Sequence, residues 1–474
     1  MPKDRLDRIL EKVIRMVTPS DDEKAKVRDM TEKVMSATKR VADSVGEEIG
    51  MKLGVVLAGS FVRDTWMPHK KEFDVFIQFP ENTNRTDLET YGLEIGKKVV
   101  KSLKGTHMIA YAEHPYMRAK IQGYAIDLVP CYRVSSASKI KSAVDRTPFH
   151  NKWLEKHMAP SKAPQVRLMK QFTKAQGLYG SDTRVQGFSG YLCELLITKH
   201  KTFKFLARAA SRWKPGVFID IQGHYKPSPN SRERLRGQPL VVIDPVDPER
   251  NAAAALSEEN FGKFVSSCRQ LLRNPSLSFF KPEKHVSMSK LSSAVQKRKA
   301  KIFGVMFSQP QIIQDVLWPQ MRKAAKRLAD ILEEYDFRVS GWSVWADEEF
   351  TKGHCLLLLE LKSWELPQLR TLRGPPVKEK KHADNFLKKY RPMGKTYAKG
   401  RYWFAEFRRE FRKADEKLKD TLSDPEKRLR EKGIPSYIAK AVSRDFRMLN
   451  EKQILSLAKR KPGLAQSLRD WLKA

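Results

Sequence analysis

The amino-acid sequence predicts an α+β protein made of several domains. Three observations carry that expectation. Hydrophobic periodicity over the first ~150 residues runs in the order αβαβαββ, which suits helices packed around one mixed sheet. From about Asn151 the pattern turns mainly helical. Beyond a Lys- and Ser-rich stretch near residue 285 it becomes βαββ, the order of a ferredoxin-like half, and then a basic helical tail.

Each element has a local reason. Residues 3–17 read as a short amphipathic helix. Thr18-Pro19-Ser20-Asp21-Asp22 ends it and caps the next helix, which carries acids in its first turn and runs to about Glu48. A strand is expected at Gly54–Ala58, then a turn at Gly59-Ser60 entering a short helix. A second strand, Phe73–Phe79, stops at Pro80. A helix near Thr86–Leu103 follows, then strands near Tyr116–Ile121 and Tyr124–Val134 joined by a tight turn at Gln122-Gly123.

In the helical region, Arg167–Gln176 places Leu168, Phe172 and Ala175 on one face, with Gly177 as a C-terminal cap. Phe188–Thr198 is a more apolar helix, and its Gly190–Leu196 segment reads as core packing. Asp247-Pro248 reads as a cap and first-turn proline for a helix over Arg250–Leu256. Further on, a strand is expected at Ile302–Ser308, a helix at Val316–Tyr335, and strands at Phe337–Trp345 and His354–Lys362. Arg373-Gly374-Pro375-Pro376-Val377 reads as a loop, and Lys388–Lys413 as basic helices with interleaved aromatics. No internal repeat is evident. The corresponding domains are 1–152, 153–284, 285–435 and a helical basic extension, 436–474.

Composition narrows the class. The chain has 474 residues, 41% of them hydrophobic, and a formal net charge of +36. Such a balance points to a polyanionic partner, nucleic acid ahead of a membrane surface. No apolar run approaches the ~18 residues of a membrane span, and the charged start MPKDRLDRILEKV does not read as a signal peptide. Cys131, Cys193, Cys268 and Cys355 lie far apart, without CxxC or zinc spacing, and are expected to be reduced core thiols in a cytoplasm-like compartment. Gly394-Lys395-Thr396 ends like a P-loop, but Lys389 stands where that motif needs glycine, so the motif fails.

The chemistry concentrates in GSFVRDTWMPHKKEFD, residues 59–74. Side chains on a strand alternate faces, so Glu72, Asp74, Phe76 and Gln78 share one face while Phe73, Val75, Ile77 and Phe79 form an apolar one. Two carboxylates on one face repel, and something positive must offset that. Asp127, inside the apolar run YAIDLVP, is a third. An acid in such a run is costly unless paired or bound to metal. If its strand neighbours Phe73–Phe79, three carboxylates converge, as hard divalent cations require. The other reading is solvated ion pairs of Glu72 and Asp74 with Lys70, Lys71 or Arg63. The Gly59-Ser60 turn can offer N–H groups and a hydroxyl to an anion, and Arg63 can reach the same one.

GSFVRDTWMPHKKEFDVFIQF resembles the signature of the DNA polymerase β-like nucleotidyltransferase superfamily. YAIDLVPCYRV, SAVDRTPFHNKWLE, RLMKQFTKAQGLYGSD, GFSGYLCELLI and DPVDPERNAAAALS resemble one branch of it, the archaeal class I CCA-adding enzymes, over about residues 50–260. The RGPPV segment and the βαββ unit extend the likeness to roughly residue 430, leaving 436–474 unmatched. The resemblance implies a nucleotidyltransferase palm domain, a central domain for nucleotide and primer, and a C-terminal tRNA-binding domain. It implies two Mg²⁺ ions on Glu72, Asp74 and Asp127, with Asp127 also activating the primer 3′-hydroxyl. Ser60 and Arg63 would hold the triphosphate, His150 would face the sugar, and Lys170 and Tyr179 would reach the phosphates. Lys174, one turn beyond Lys170, shares its polar face. Arg250 would help read the base. As a cation expected at a helix start, it needs a compensating anion.

The implied activity is addition of C, C and A to tRNA 3′ ends from CTP and ATP without a template, with release of pyrophosphate. A homodimer is implied as well. A poly(A) polymerase or oligoadenylate synthetase type of enzyme, and a silent RNA-binding protein on the same fold, are the alternatives. Basic and aromatic residues over Lys388–Lys413 suit a nucleic-acid backbone, while residues 452–474 read as an amphipathic structural tail.

Overall fold

The computed structural model describes residues 4–111, 113–226, 233, 235–281, 286–348 and 353–472. Contacts divide the chain into two compact units, Met1–Pro282 and Glu283–Ala474. The boundary expected at 284/285 lies outside the described residues.

The first unit opens with α1 (Arg5–Val17) and α2 (Asp21–Glu48). Ser20 and Glu23 form a reciprocal capping box at the start of α2, as the sequence requires. Strands β1 (Gly54–Ala58), β2 (Glu72–Pro80), β3 (Thr106–Tyr111), β4 (Pro115–Ile121) and β5 (Tyr124–Arg133) form one sheet in the order β1-β2-β5-β4-β3. Only β2 and β5 run parallel in it. The apolar face of β2, with Phe73, Val75, Ile77 and Phe79, packs on α2 and on α3 (Arg85–Ser102). Burying each such side chain is worth ~1.5–3 kcal/mol, so the register of β2 is firmly set. That fixes Glu72 and Asp74 on the opposite face. Strand β3 was not expected. It is an edge strand whose residues are almost all exposed, so no alternation marked it.

The central part holds α4 (Arg146–His157), α5 (Ala163–Ala175), α6 (Gly190–His200), α7 (Phe203–Ala210) and α8 (Glu258–Arg273). Its core is aromatic, with Phe172, Phe188, Phe203, Phe264 and Phe280, and α1 packs into it. A small sheet adds to the helices: β6 (Val217–Asp220), β7 (Leu240–Asp244) and β8 (Asp247–Asn251). The helix expected at Arg250–Leu256 is therefore absent. Asp247–Asn251 turns back onto β7, Asn251 opposite Ile243 and Asp247 opposite Asp244, and residues 252–255 form turns. The Asn251 side chain binds the backbone of Val242, Leu240 and Ala253, and these bonds override the helical preference of the alanines.

In the second unit, β9 (Lys301–Ser308), α10 (Gln314–Glu334), β10 (Arg338–Ala346) and β11 (His354–Ser363) reproduce the expected βαββ order, after α9 (Met288–Lys297). The sheet order is β10-β11-β9-β15, where β15 is Arg447–Leu449. Leu357 and Leu359 of β11 pack with α10, while Leu356 and Leu358 pack with the helices Glu451–Arg460 and Pro462–Leu472. The C-terminal extension thus covers the second face of a strand that is apolar on both.

Two expectations fail here. Arg373–Pro376 is not a loop but the end of β12 (Leu369–Pro376), an edge strand, where prolines cost no ladder bonds. Lys388–Lys413 is not helical throughout. After α11 (Lys380–Tyr390) come β13 (Gly394–Lys399) and β14 (Tyr402–Arg408), paired around Gly400 at φ +58°. The alternating Trp403, Ala405 and Phe407 fit a strand. The four cysteines are free and buried. Among the described residues, no helix is long and apolar enough to cross a membrane.

Candidate active site

The carboxylates are brought together by strand register. In the parallel β2–β5 pair, Asp74 stands opposite Asp127 and Glu72 opposite Ala125. Burial and then the charge of Asp127 push the Asp74 carboxyl up to about 6, against the pull of Lys70 and Arg118. Although Asp74 keeps exposed surface, it sits where a second negative charge is hard to hold.

Arg118 is a residue that sequence reasoning missed. It lies on β4 directly across from Asp127 and grips it with both arms, Nε to Oδ1 at 2.8 Å and a terminal nitrogen to Oδ2 at 2.7 Å. The expected tight turn at Gln122-Gly123 sets this register, and that was the available signal. Arg118 occupies Asp127, and among the described residues no set of three acidic, His or Cys side chains closes into a ligand cluster. The donor set still fits a divalent cation. Three carboxylates share one sheet face at one end, and Arg118 already places a positive charge on one of them.

The Gly59-Ser60 turn abuts this face. Gly59 has φ +90°, and a Cβ built there would lie 3.6 Å from Asp74 Oδ2. Ser60 Oγ is buried without a protein hydrogen-bond partner, so it has an unspent donor. The short helix expected after Ser60 does not form. Thr65 N–H donates to Ser60 O at 3.0 Å, and Asp64 is left-handed at φ +50°, which stops a helix.

A cleft of about 830 Å³ is lined by Ser60, Glu72, Arg118, Lys170, Lys174 and Tyr179, with residues of β3. Lys170 is nearly fully buried. Its Nζ donates to Thr65 O at 2.9 Å and lies 3.7 Å from Glu194. Lys174 is exposed, its ammonium 5.2 Å from the Tyr179 ring centre. Tyr179 lies against Gly190, where a Cβ would come within 3.2 Å of its hydroxyl. Of the two lysines, Lys174 is the one freer to move toward an anion.

Arg63 turns inward instead of toward the cleft. It pairs with Glu194 at 2.8 Å and with Asn151, and its side chain is only 7% exposed. Glu194 also accepts from Thr65. Burial alone would raise the pKa of Glu194, but Lys170, Arg63 and its hydrogen bonds hold it below its ordinary value. Gly190–Leu196 is therefore more than core packing, since Glu194 is the acid that ties α5 and α6 to the Ser60–Thr65 turn. An isolated Glu in an apolar helix was the available signal. Asn151 reinforces the link, donating to Leu57 O at 3.2 Å and accepting from Gly59 N–H at 3.4 Å.

His150 and Arg250 do not line that cleft. They meet on Asp244, at 2.9 Å and 2.6 Å, and His150 stacks on Tyr191 at 4.0 Å. The compensating anion that Arg250 needs is present, although on a hairpin. The predicted residues thus form two groups, joined through the neighbours His150 and Asn151 on α4.

Comparisons with known proteins cover both units. Residues 38–150 match the family described as nucleotidyltransferase domain, residues 164–281 the tRNA nucleotidyltransferase second domain, and residues 298–451 the CCA-adding enzyme C-terminal domain. A CCA-adding enzyme of Methanosarcina barkeri is 40% identical over 86% of this chain and 88% of its own. That of Archaeoglobus fulgidus is 38% identical over 85% and 87%. That of Methanosarcina acetivorans is 36% identical over 100% and 99%, so its likeness extends through the tail that the motifs left unmatched.

Proposed function

The chain belongs to the CCA-adding enzymes, the tRNA nucleotidyltransferases, and from that premise we propose how its residues divide the work. The reaction is nucleotidyl transfer: CTP and ATP are added as C, C and A to the 3′ end of tRNA, and pyrophosphate leaves. Enzymes of this kind use divalent metal ions. We assign two Mg²⁺ ions to Glu72, Asp74 and Asp127. There they would supply charge neutralisation and a lowered hydroxyl pKa for in-line attack on the α-phosphate.

The observation that carries this assignment is the facing pair Asp74 and Asp127 with Glu72 two residues along. The chain's own groups do the rest. Ser60 donates its free hydroxyl to the triphosphate, and Lys174 and Tyr179 face the same cleft. Arg63 and Lys170 support the turn that holds Ser60 through Glu194, and add positive field to the phosphate side. Asp127 would also help activate the primer 3′-hydroxyl once Arg118 yields it. His150 faces the sugar. Arg250 reads the base as a donor-only group. Residues 1–152 serve as the catalytic domain, 153–284 bind nucleotide and primer, 285–435 hold tRNA by charge and shape, and 436–474 brace the second unit.

A homodimer working in the cytoplasm completes the reading; sedimentation in solution checks the first part. The activity is tested with tRNA ending before its CCA, Mg²⁺, and each labelled triphosphate alone and then together. Two C additions followed by one A are expected. A-only tailing would point to a poly(A)-type enzyme.

A further inference from the structure

Asp244 is fully buried at the end of β7 and collects four donors. His150 Nε2 and an Arg250 nitrogen lie 2.9 Å and 2.6 Å from Oδ2, and Tyr191 OH and Val246 N–H lie 3.0 Å and 3.1 Å from Oδ1. The turn between β7 and β8 needs only the Val246 bond. The other three come from α4, α6 and β8, and two of those side chains are assigned to the nucleotide. Burial by itself would raise the pKa of Asp244, but His150 and Arg250 hold it low, so it meets both as an anion.

A carboxylate can only accept, so His150 must carry its hydrogen on Nε2 there. The stack on Tyr191, 24° from parallel, fixes the ring plane. Arg250 keeps 36% of its side chain exposed while one nitrogen is tied down. A free arginine can swing away from a base that does not suit it. A tethered one cannot.

That matters for which bases are accepted. Cytosine and adenine each place a ring-nitrogen acceptor beside an exocyclic amine. Uracil and guanine place an N–H there. A guanidinium donates only, so a fixed one suits the first pair and opposes the second. We propose that Asp244 is a positioning residue for base selection, holding Arg250 and His150 so that uracil and guanine are rejected. The proposal rests on the reading of Arg250 as the base-reading group.

The consequence is asymmetric. Loosening Arg250 costs the correct bases little and relieves the wrong ones, so misincorporation rises. A merely structural carboxylate would lower all substrates alike. The experiment measures kcat/KM for CTP against UTP on tRNA ending before CCA, and for ATP against GTP on tRNA ending in CC. Asp244→Asn, Arg250→Ala and the double variant are compared with wild type. Both ratios are expected to fall about tenfold in Asp244→Asn, chiefly through faster UTP and GTP use, and at least as far in Arg250→Ala. The double variant is expected to match Arg250→Ala alone.

If Arg250→Ala lowers the ratios and Asp244→Asn leaves them unchanged, the positioning role is overturned while the base-reading assignment stands. If Arg250→Ala leaves them unchanged, both fall. Should Asp244→Asn not fold, Tyr191→Phe removes one of the donors to the carboxylate with little change of shape. A smaller drop in the same ratios is then expected, and no drop overturns the proposal.

Discussion

Asp74 and Asp127 occupy the same register position on adjacent parallel strands, carboxylate facing carboxylate. Burial, and then the charge of Asp127, push the Asp74 carboxyl up to about 6. Apolar burial on the other side of β2 forbids the chain from relieving the clash by slipping one residue. The fold thus holds the two carboxylates in register, with Arg118 paired to Asp127.

Replacement of Asp127 by Ala should abolish transfer. A loss on the order of a thousandfold in single-turnover addition of C is expected, with tRNA affinity little changed. Near-normal turnover would remove Asp127 from the chemistry.

Arg118→Gln should act on metal affinity. The pair is half open to solvent on the arginine side, so it is worth only ~0.2–1 kcal/mol. The Mg²⁺ concentration for half-maximal activity is expected to fall by up to about fivefold, since Arg118 no longer competes for Asp127. Mn²⁺ binding followed by electron paramagnetic resonance, without tRNA, should tighten likewise. Weaker binding would contradict the competition.

Glu194→Ala should destabilise the first unit. It strips the partner from Arg63 and Lys170, both buried, at a cost of ~3–5 kcal/mol. The wild type should also show an acid limb. A carboxylate whose folded pKa is depressed contributes stability above its ordinary range, and loses it as pH falls through the folded value. Thermal melts from pH 7 down to pH 3 should therefore fall more steeply in wild type than in Glu194→Gln. Parallel curves would show that the group carries no such linkage.

Much of this was legible in the sequence, for physical reasons. Alternation in β2 and the placing of Asp127 in an apolar run fixed the carboxylate face, because burial pattern determines register. The strand expected at His354–Lys362 is buried on both faces over Cys355, Leu356, Leu357, Leu358 and Leu359. Groups assembled from distant elements were not legible. Asp244 matters because of the donors that α4, α6 and β8 bring to it, which local sequence does not encode, whereas Arg118 stands opposite Asp127 by the register of the tight turn at Gln122-Gly123. Asp247-Pro248, read as a cap and first-turn proline, suggested helix at Arg250–Leu256, but bonds to Asn251 decided for a hairpin. Edge strands such as β3 and β12 lack a buried face, and so lack the signal that reveals strands.

Binding of tRNA should depend steeply on salt. With a net charge of +36, log affinity against log salt should fall with a slope steeper than about −3. A slope near zero would show that the basic surface does not meet phosphate.

The most direct test is anomalous scattering from crystals grown with Mn²⁺, a tRNA lacking CCA and a non-hydrolysable CTP analogue. Two peaks about 3.5–4 Å apart, within coordination distance of Glu72, Asp74 and Asp127, are expected. Clear density for nucleotide and primer with no metal on these three carboxylates would contradict the assignment.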